Sequence, residues 1–204
     1  MRPDPARKNI VTRRPPERLV EHEDSRPDFR SIVESARFGD ESAWEVVYLA
    51  LFPRLTAYAR CRLDSDRASE AVAETFARAV AGIGRFSWKG GGFEGWIFAI
   101  LRHVIVDAHR KHGRAQHHVP LFDGERNQPE SIDRLLANEE ALAVRNAYRS
   151  LSPAEQELLH LRVVSGLSAE DVARMLGKRP GAVRMAQSRA LDNLRHALKN
   201  GDVL

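Results

Sequence analysis

The chain has 204 residues, 43% hydrophobic and 29% charged, which suffices for one or two packed domains and excludes wholesale disorder or a collagen-like repeat. A single cysteine, Cys61, excludes an internal disulfide and a thiolate zinc cluster. No apolar run approaches the roughly 18 residues of a membrane span, so a soluble protein of a reducing cytoplasm, with no membrane insertion, is expected. The net charge of +4 is small but unevenly spread: Lys178, Arg179, Arg184, Arg189, Arg195 and Lys199 face only Asp192 within 178–199, whereas 113–140 is acidic.

Residues 1–28 carry Pro3, Pro5, Pro15, Pro16 and Pro27 among charges of both signs and read as a flexible tail. From Phe29 the apolar spacing turns helical, through Ile32, Val33 and Ala36, then Ala43, Val46, Val47, Ala50, Leu51, Leu55 and Tyr58 behind a cap at Asp40. A third run, from Ser65 toward Ile83, presents Ala68, Val72, Phe76 and Val80 before Gly82 and Gly84. After the loop F-S-W-K-G-G-G, Phe86 to Gly92, a helix is predicted from Phe93 to about Arg110, with Trp96, Ile97, Ile100, Leu101, Val104 and Ile105 on its apolar side and Gly113 as its stop. Residues 113–140 read as an acidic linker with one helical turn near 132–137.

In the remainder, 141–199, Ser152 caps a helix with Pro153 first and Glu155 in the capping-box position, and Leu158, Leu159, Leu161 and Val163 follow. Ser168 caps a short helix ended by Gly177, and Pro180 opens the last, with Val183, Ala190, Leu191, Leu194 and Leu198 inward. No period-two alternation and no internal repeat occurs. The expected fold is therefore all-α: two small helical domains, 29–112 and 141–199, joined by a flexible linker, the second a helix-turn-helix. A recognition helix puts its first turns into the major groove, so Lys178, Arg179, Arg184, Gln187, Ser188 and Arg189 are the candidate DNA-binding residues. A solvated basic face on a plain helical hairpin is the bland alternative.

The stretch from Leu151 to Arg195 resembles the domain with which bacterial sigma factors bind the −35 promoter element, with Glu155, Gly166, Leu167, Ala173, Gly177, Gly181, Val183, Arg184 and Arg189 in the expected places and Ala182 where Thr is common. Output domains of two-component regulators carry a similar pattern, so the first half must discriminate. There G-D-E-S-A-W at Gly39, L-F-P-R-L-T-A-Y-A-R at Leu51, A-E-T-F-A-R-A at Ala73 and F-E-G-W-I-F-A-I-L-R-H-V-I-V-D-A-H-R at Phe93 follow in one order. They resemble the core-binding and −10-element domain of sigma factors of the extracytoplasmic-function (ECF) group.

That resemblance implies promoter recognition and strand opening together with core RNA polymerase. Unpaired bases need aromatic partners and the backbone needs cations. Phe86, Trp88 and Lys89 in the loop, which by resemblance captures a flipped −10 base, and Arg102, His103 and Arg110 on the next helix are the candidates; Asn is common in the family where His103 stands. Phe86 also suits the core. By the same resemblance, Glu70, Glu74, Thr75 and Arg78 meet the β′ clamp helices of core polymerase, although Ser69, Glu70 and Ala73 keep only part of the usual pattern there. Promoter DNA, double- and single-stranded, and an anti-sigma factor are the other implied partners.

Other chemistry finds little support. His103, His109, His112, His117 and His118 straddle a helix end and the linker without companion thiolates or carboxylates, Cys61 sits in an ordinary helical run, and no phosphate-binding glycine loop is present. No catalytic activity, metal or cofactor is expected. The competing readings are a sigma-like decoy that binds a regulator without engaging promoters, and a helix-turn-helix regulator.

Overall fold

The computed structural model describes residues 29–88, 91–111 and 139–201. The tail 1–28, Lys89 and the linker through residue 138 lie outside them. The elements are α1 (Phe29–Arg37), α2 (Glu41–Arg60), α3 (Ser65–Gly82), a 3₁₀ turn (Ile83–Arg85), α4 (Phe93–Lys111), α5 (Glu139–Arg149), α6 (Pro153–Leu159), a π-helical turn (His160–Val164), α7 (Ala169–Met175) and α8 (Pro180–Gly201). The fold is all-α, and among the described residues there is no β-strand.

Local chemistry sets most boundaries. Asp40 accepts from the Ser42 N–H at 3.0 Å to start α2, and Asp64 accepts from the Arg67 N–H at 3.0 Å to start α3. At α6 the capping box is complete: Ser152 Oγ accepts from the Glu155 N–H, and the Glu155 carboxylate accepts from the Ser152 N–H at 3.0 Å. The Glu155 carboxyl is consequently held below its ordinary pKa, chiefly by the Ser152 side chain. Ser168 caps α7 by accepting from the Asp171 N–H at 3.0 Å, and Gly177, at φ +64°, turns the chain into α8.

Helices α1 to α4 bury Val33, Val47, Leu51, Leu55, Tyr58, Ile97, Phe98, Leu101 and Ile105. This core does not stop at the first half. Leu158, Leu161, Leu167, Val172, Ala173 and Val183 belong to the same contiguous apolar cluster, so the two helical modules pack against each other, with α7 on α4. A smaller cluster, Leu151, Leu159 and Ala190 with Tyr148, Leu191 and Leu194, holds α5 and α6 to α8.

Three expected core positions face solvent. Val80 is 52% exposed, because steps of four overshoot the 3.6-residue turn and carry it about 120° from Ala68; the buried stripe is Ala68, Ala71, Val72, Thr75 and Ala79. Val46 yields to Val47 on the inner face of α2, and Val163 falls outward where the π turn inserts an extra residue.

Candidate nucleic-acid interface

The loop after α3 is pinned from α1. Arg37 donates to the carbonyls of Ile83, at 3.4 Å, and Phe86, and its guanidinium lies 5.8 Å from the Phe86 ring centre. Phe86 is itself buried, among Trp88, Phe93 and Trp96 with ring centres 4.9, 5.3 and 5.2 Å away. It therefore supports the loop from below, with only its edge reaching the cavity beside it. Trp88 is half-buried, its indole N–H lacks a hydrogen-bond partner, and the Arg30 guanidinium lies 5.8 Å from its ring centre.

Beside this loop opens a cavity of about 460 Å³ lined by Arg85, Ser87, Trp96, Arg102, His103 and the Phe86 edge, with Arg174 and Met175 of α7 on the far wall. Aromatic faces and cations thus meet in one concave space. Arg102 is half-buried and pairs with Glu157 at 3.3 Å; His103 is exposed, with Nδ1 2.7 Å from the Ala99 carbonyl oxygen. Arg110 projects farther along α4, 70% exposed, 3.9 Å from Asp107.

At the other end of the sequence, Lys178 and Arg179 stand exposed in the turn between α7 and α8, and Arg184, Ser188 and Arg189 are exposed on α8. Arg184 is paired with Glu170. Gln187 is half-buried and accepts from Arg162 Nε at 2.8 Å, so its amide oxygen is engaged inside the module.

On α3, Glu70 is exposed, Glu74 accepts from Arg78 at 2.7 Å, and Arg78 also approaches Asp107 at 3.7 Å. Thr75 is the exception. It is fully buried and its hydroxyl donates to the Ala71 carbonyl at 2.6 Å, so its side chain cannot reach a docked partner. Next to this face lies a group that periodicity alone leaves unassigned: Tyr48 stacks on Phe52 at 4.8 Å and leans on Phe76 at 4.9 Å, with Leu49 65% exposed beside them. The L-F-P run in α2 was the available signal, since helical spacing cannot bury consecutive apolar residues on one side.

Among the described residues no group of three or more metal-ligating side chains gathers, and no helix is long and apolar enough to cross a membrane.

Comparison with known proteins bears on both modules. Residues 47–115 match the Sigma-70 region 2 family and residues 148–196 the Sigma-70 region 4 family. The chain is 31% identical over 171 residues to the ECF RNA polymerase sigma factor BldN of Streptomyces coelicolor, spanning 82% of this chain and 64% of BldN. It is 33% identical over 172 residues to SigD of Mycobacterium bovis, spanning 81% of each. Among solved structures it is similar to CnrH in complex with the cytosolic domain of CnrY, with TM-score 0.60 and 22% identity over 84% of this chain and 97% of that one. It is also similar to the sigma factor RpoE in complex with the anti-sigma factor NepR from Bartonella quintana, with TM-score 0.53 and 25% identity over 76% and 96%. With both regions present in order on the helices described above, the chain belongs to the ECF group of RNA polymerase sigma factors, the promoter-recognition subunits that bind core polymerase and promoter DNA to initiate transcription.

Proposed function

We propose that this sigma factor divides promoter recognition between the α7–α8 unit and the cavity beside α4. Lys178 and Arg179 meet phosphates while Arg184, Ser188 and Arg189 face the −35 duplex, with Ala182 contributing a methyl where a hydroxyl is common. Trp88, Lys89, Arg102, His103 and Arg110 hold the unpaired −10 strand. Opening makes and breaks no covalent bond; it needs a surface that favours the unpaired strand over the duplex. The observation that carries this reading is the convergence of Arg85, Trp96, Arg102 and His103 on one cavity large enough for a flipped base.

Core polymerase docks, in this reading, on α3 through Glu70, Glu74 and Arg78, with the apolar group of Tyr48, Leu49 and Phe52 alongside. The same exposed surface suits an anti-sigma factor, a partner seen with the similar RpoE. The protein acts in the cytoplasm, where core polymerase and chromosome meet, and 113–140 runs as the acidic connector between its domains.

The test is abortive initiation with core polymerase on promoters selected by genomic run-off. Glu74→Lys is expected to abolish co-elution with core polymerase, and Trp88→Ala to abolish open-complex formation while co-elution survives. Absence of initiation from every promoter in the pool overturns the proposal in favour of a decoy.

A further inference from the structure

One large apolar side chain of α8 points away from the core. Val183 and Ala190 are fully buried and, with the half-buried Leu191 and Leu194, mark the inner face of the helix. At about 100° per residue Met185 stands roughly 200° round from Val183, on the outer side, and it is 66% exposed. Neither apolar cluster of the fold includes it.

A single exposed apolar residue needs no explanation by itself. What singles out Met185 is its place, in the second turn of the helix that enters the duplex. Gly181 lies one turn ahead on the same line, and a Cβ there would meet no atom within 4 Å, so Met185 is open to approach from the start of the helix. The exposed methyl of Ala182 lies three residues before Met185 and therefore beside it. Cations surround this apolar spot, with Arg184 on one side, Arg189 on the other, and Lys178 and Arg179 exposed in the turn ahead. A cationic rim around an apolar centre is poorly matched to an apolar protein surface. It suits a duplex, which offers phosphates to the rim and base edges to the centre.

The chemistry of the groove narrows the partner to one base. In the major groove guanine presents N7 and O6, cytosine its amino group, and adenine N7 and its amino group; thymine alone adds a C5-methyl. A thioether is at best a weak acceptor, but it is polarizable and flexible enough to pack on that methyl. Gln187, whose amide could grip adenine through two bonds, has its oxygen held by Arg162 Nε at 2.8 Å.

We propose that Met185, with Ala182 beside it, reads a thymine of the −35 element through its C5-methyl while Arg184 and Arg189 engage the duplex on either side. The proposal rests on α8 being the −35 reader. It requires a thymine, in one strand or the other, at the pair opposite the second turn of α8; a cytosine there presents an amino group and no methyl.

The test uses holoenzyme, the full chain with core polymerase, on duplex promoters selected by genomic run-off, with each −35 thymine replaced in turn by 2′-deoxyuridine. That replacement deletes one methyl and leaves the hydrogen-bonding groups of the pair in place. At one or two positions wild type is expected to bind about fourfold more weakly, the value of one buried methylene-sized group. Met185→Ala is expected to bind the thymine duplex less tightly than wild type and to bind the thymine and uracil duplexes alike, whereas Met185→Leu keeps the discrimination. Thermal unfolding of both variants should match wild type, because the side chain is exposed. A selected −35 element without thymine in either strand, wild-type binding unmoved by uracil at every thymine, or equal uracil sensitivity in Met185→Ala and wild type overturns the methyl reading. Wild-type holoenzyme indifferent to base-pair changes throughout the −35 element overturns instead the assignment of α8 beneath it.

Discussion

The Arg62 guanidinium lies 3.5 Å from the centre of the Tyr58 ring, and its Nη1 donates to the Tyr58 carbonyl at 2.7 Å. Arg62 is 4% exposed and Nη2 has no hydrogen-bond partner, so the ring face supplies much of what stabilises this charge. The Tyr58 hydroxyl, which donates to Glu157 at 3.3 Å, has its pKa pushed up to about 12, mainly by burial. Next to this pair sits His160, its Nδ1 3.9 Å from the Cys61 sulfur and its ring against Tyr58.

Burial first, and the Arg62 charge second, pull the His160 pKa down to about 3. Between pH 6.5 and about 3 the unfolded chain therefore carries a proton on His160 that the folded chain does not, and stability falls as pH drops through that window. At pH 5 the loss from this group is about 2 kcal/mol. Urea unfolding at pH 7.5 and 5.0 should show it, and His160→Phe should remove that share. In Arg62→Met the His160 pKa should rise, yet stay below 6.5 because burial persists; an NMR titration of the imidazole reads this directly.

Burial of Thr75 makes Thr75→Val a discriminating variant. It deletes a hydroxyl bonded within its own helix, so stability should change by no more than about 1 kcal/mol. Affinity for core polymerase, measured by co-elution or fluorescence anisotropy, should match wild type, in contrast to Glu74→Lys.

Gly177→Ala places a side chain at φ +64° and should cost about 1 kcal/mol, lowering Tm by about 2–4 °C. Ser152→Ala, which removes the side-chain half of the α6 capping box, should cost a similar amount. Calorimetry on the two single variants and the double should give additive losses, because the sites share no hydrogen-bond partner.

Phosphate-contacting and base-reading residues should separate by salt. Arg179→Ala should weaken −35 duplex binding equally for all sequences and reduce the salt slope by about 1. Arg184→Ala should instead relax sequence preference, with a loss of about 1–3 kcal/mol on the preferred site. Anisotropy titrations across a salt series on matched and mutated duplexes distinguish the two.

The caps at Asp40, Ser152 and Ser168, the turn at Gly177 and the all-α class were legible from residue types, because each depends on neighbours within four positions along the chain. So was the basic start of α8. What spacing could not decide was which of two equivalent residues faces inward: Val46 or Val47, Thr75 or a surface position, Phe86 or Trp88. That choice is made by the partner helix.

Glu157, Arg54 and His160 carry no local signal, and Asp171 signals only its place beside the Ser168 cap; their contacts with α2 and α4 arise only where α6 and α7 close on those helices across more than fifty residues of sequence. The sequence by itself determined the helices, their caps and the run of cations around the start of α8, since these are short-range properties of the backbone and of charge. Only the tertiary structure decided that the two modules share a core and that one covers the other's cavity, because burial and close approach at Gly95 depend on surfaces that meet only after folding.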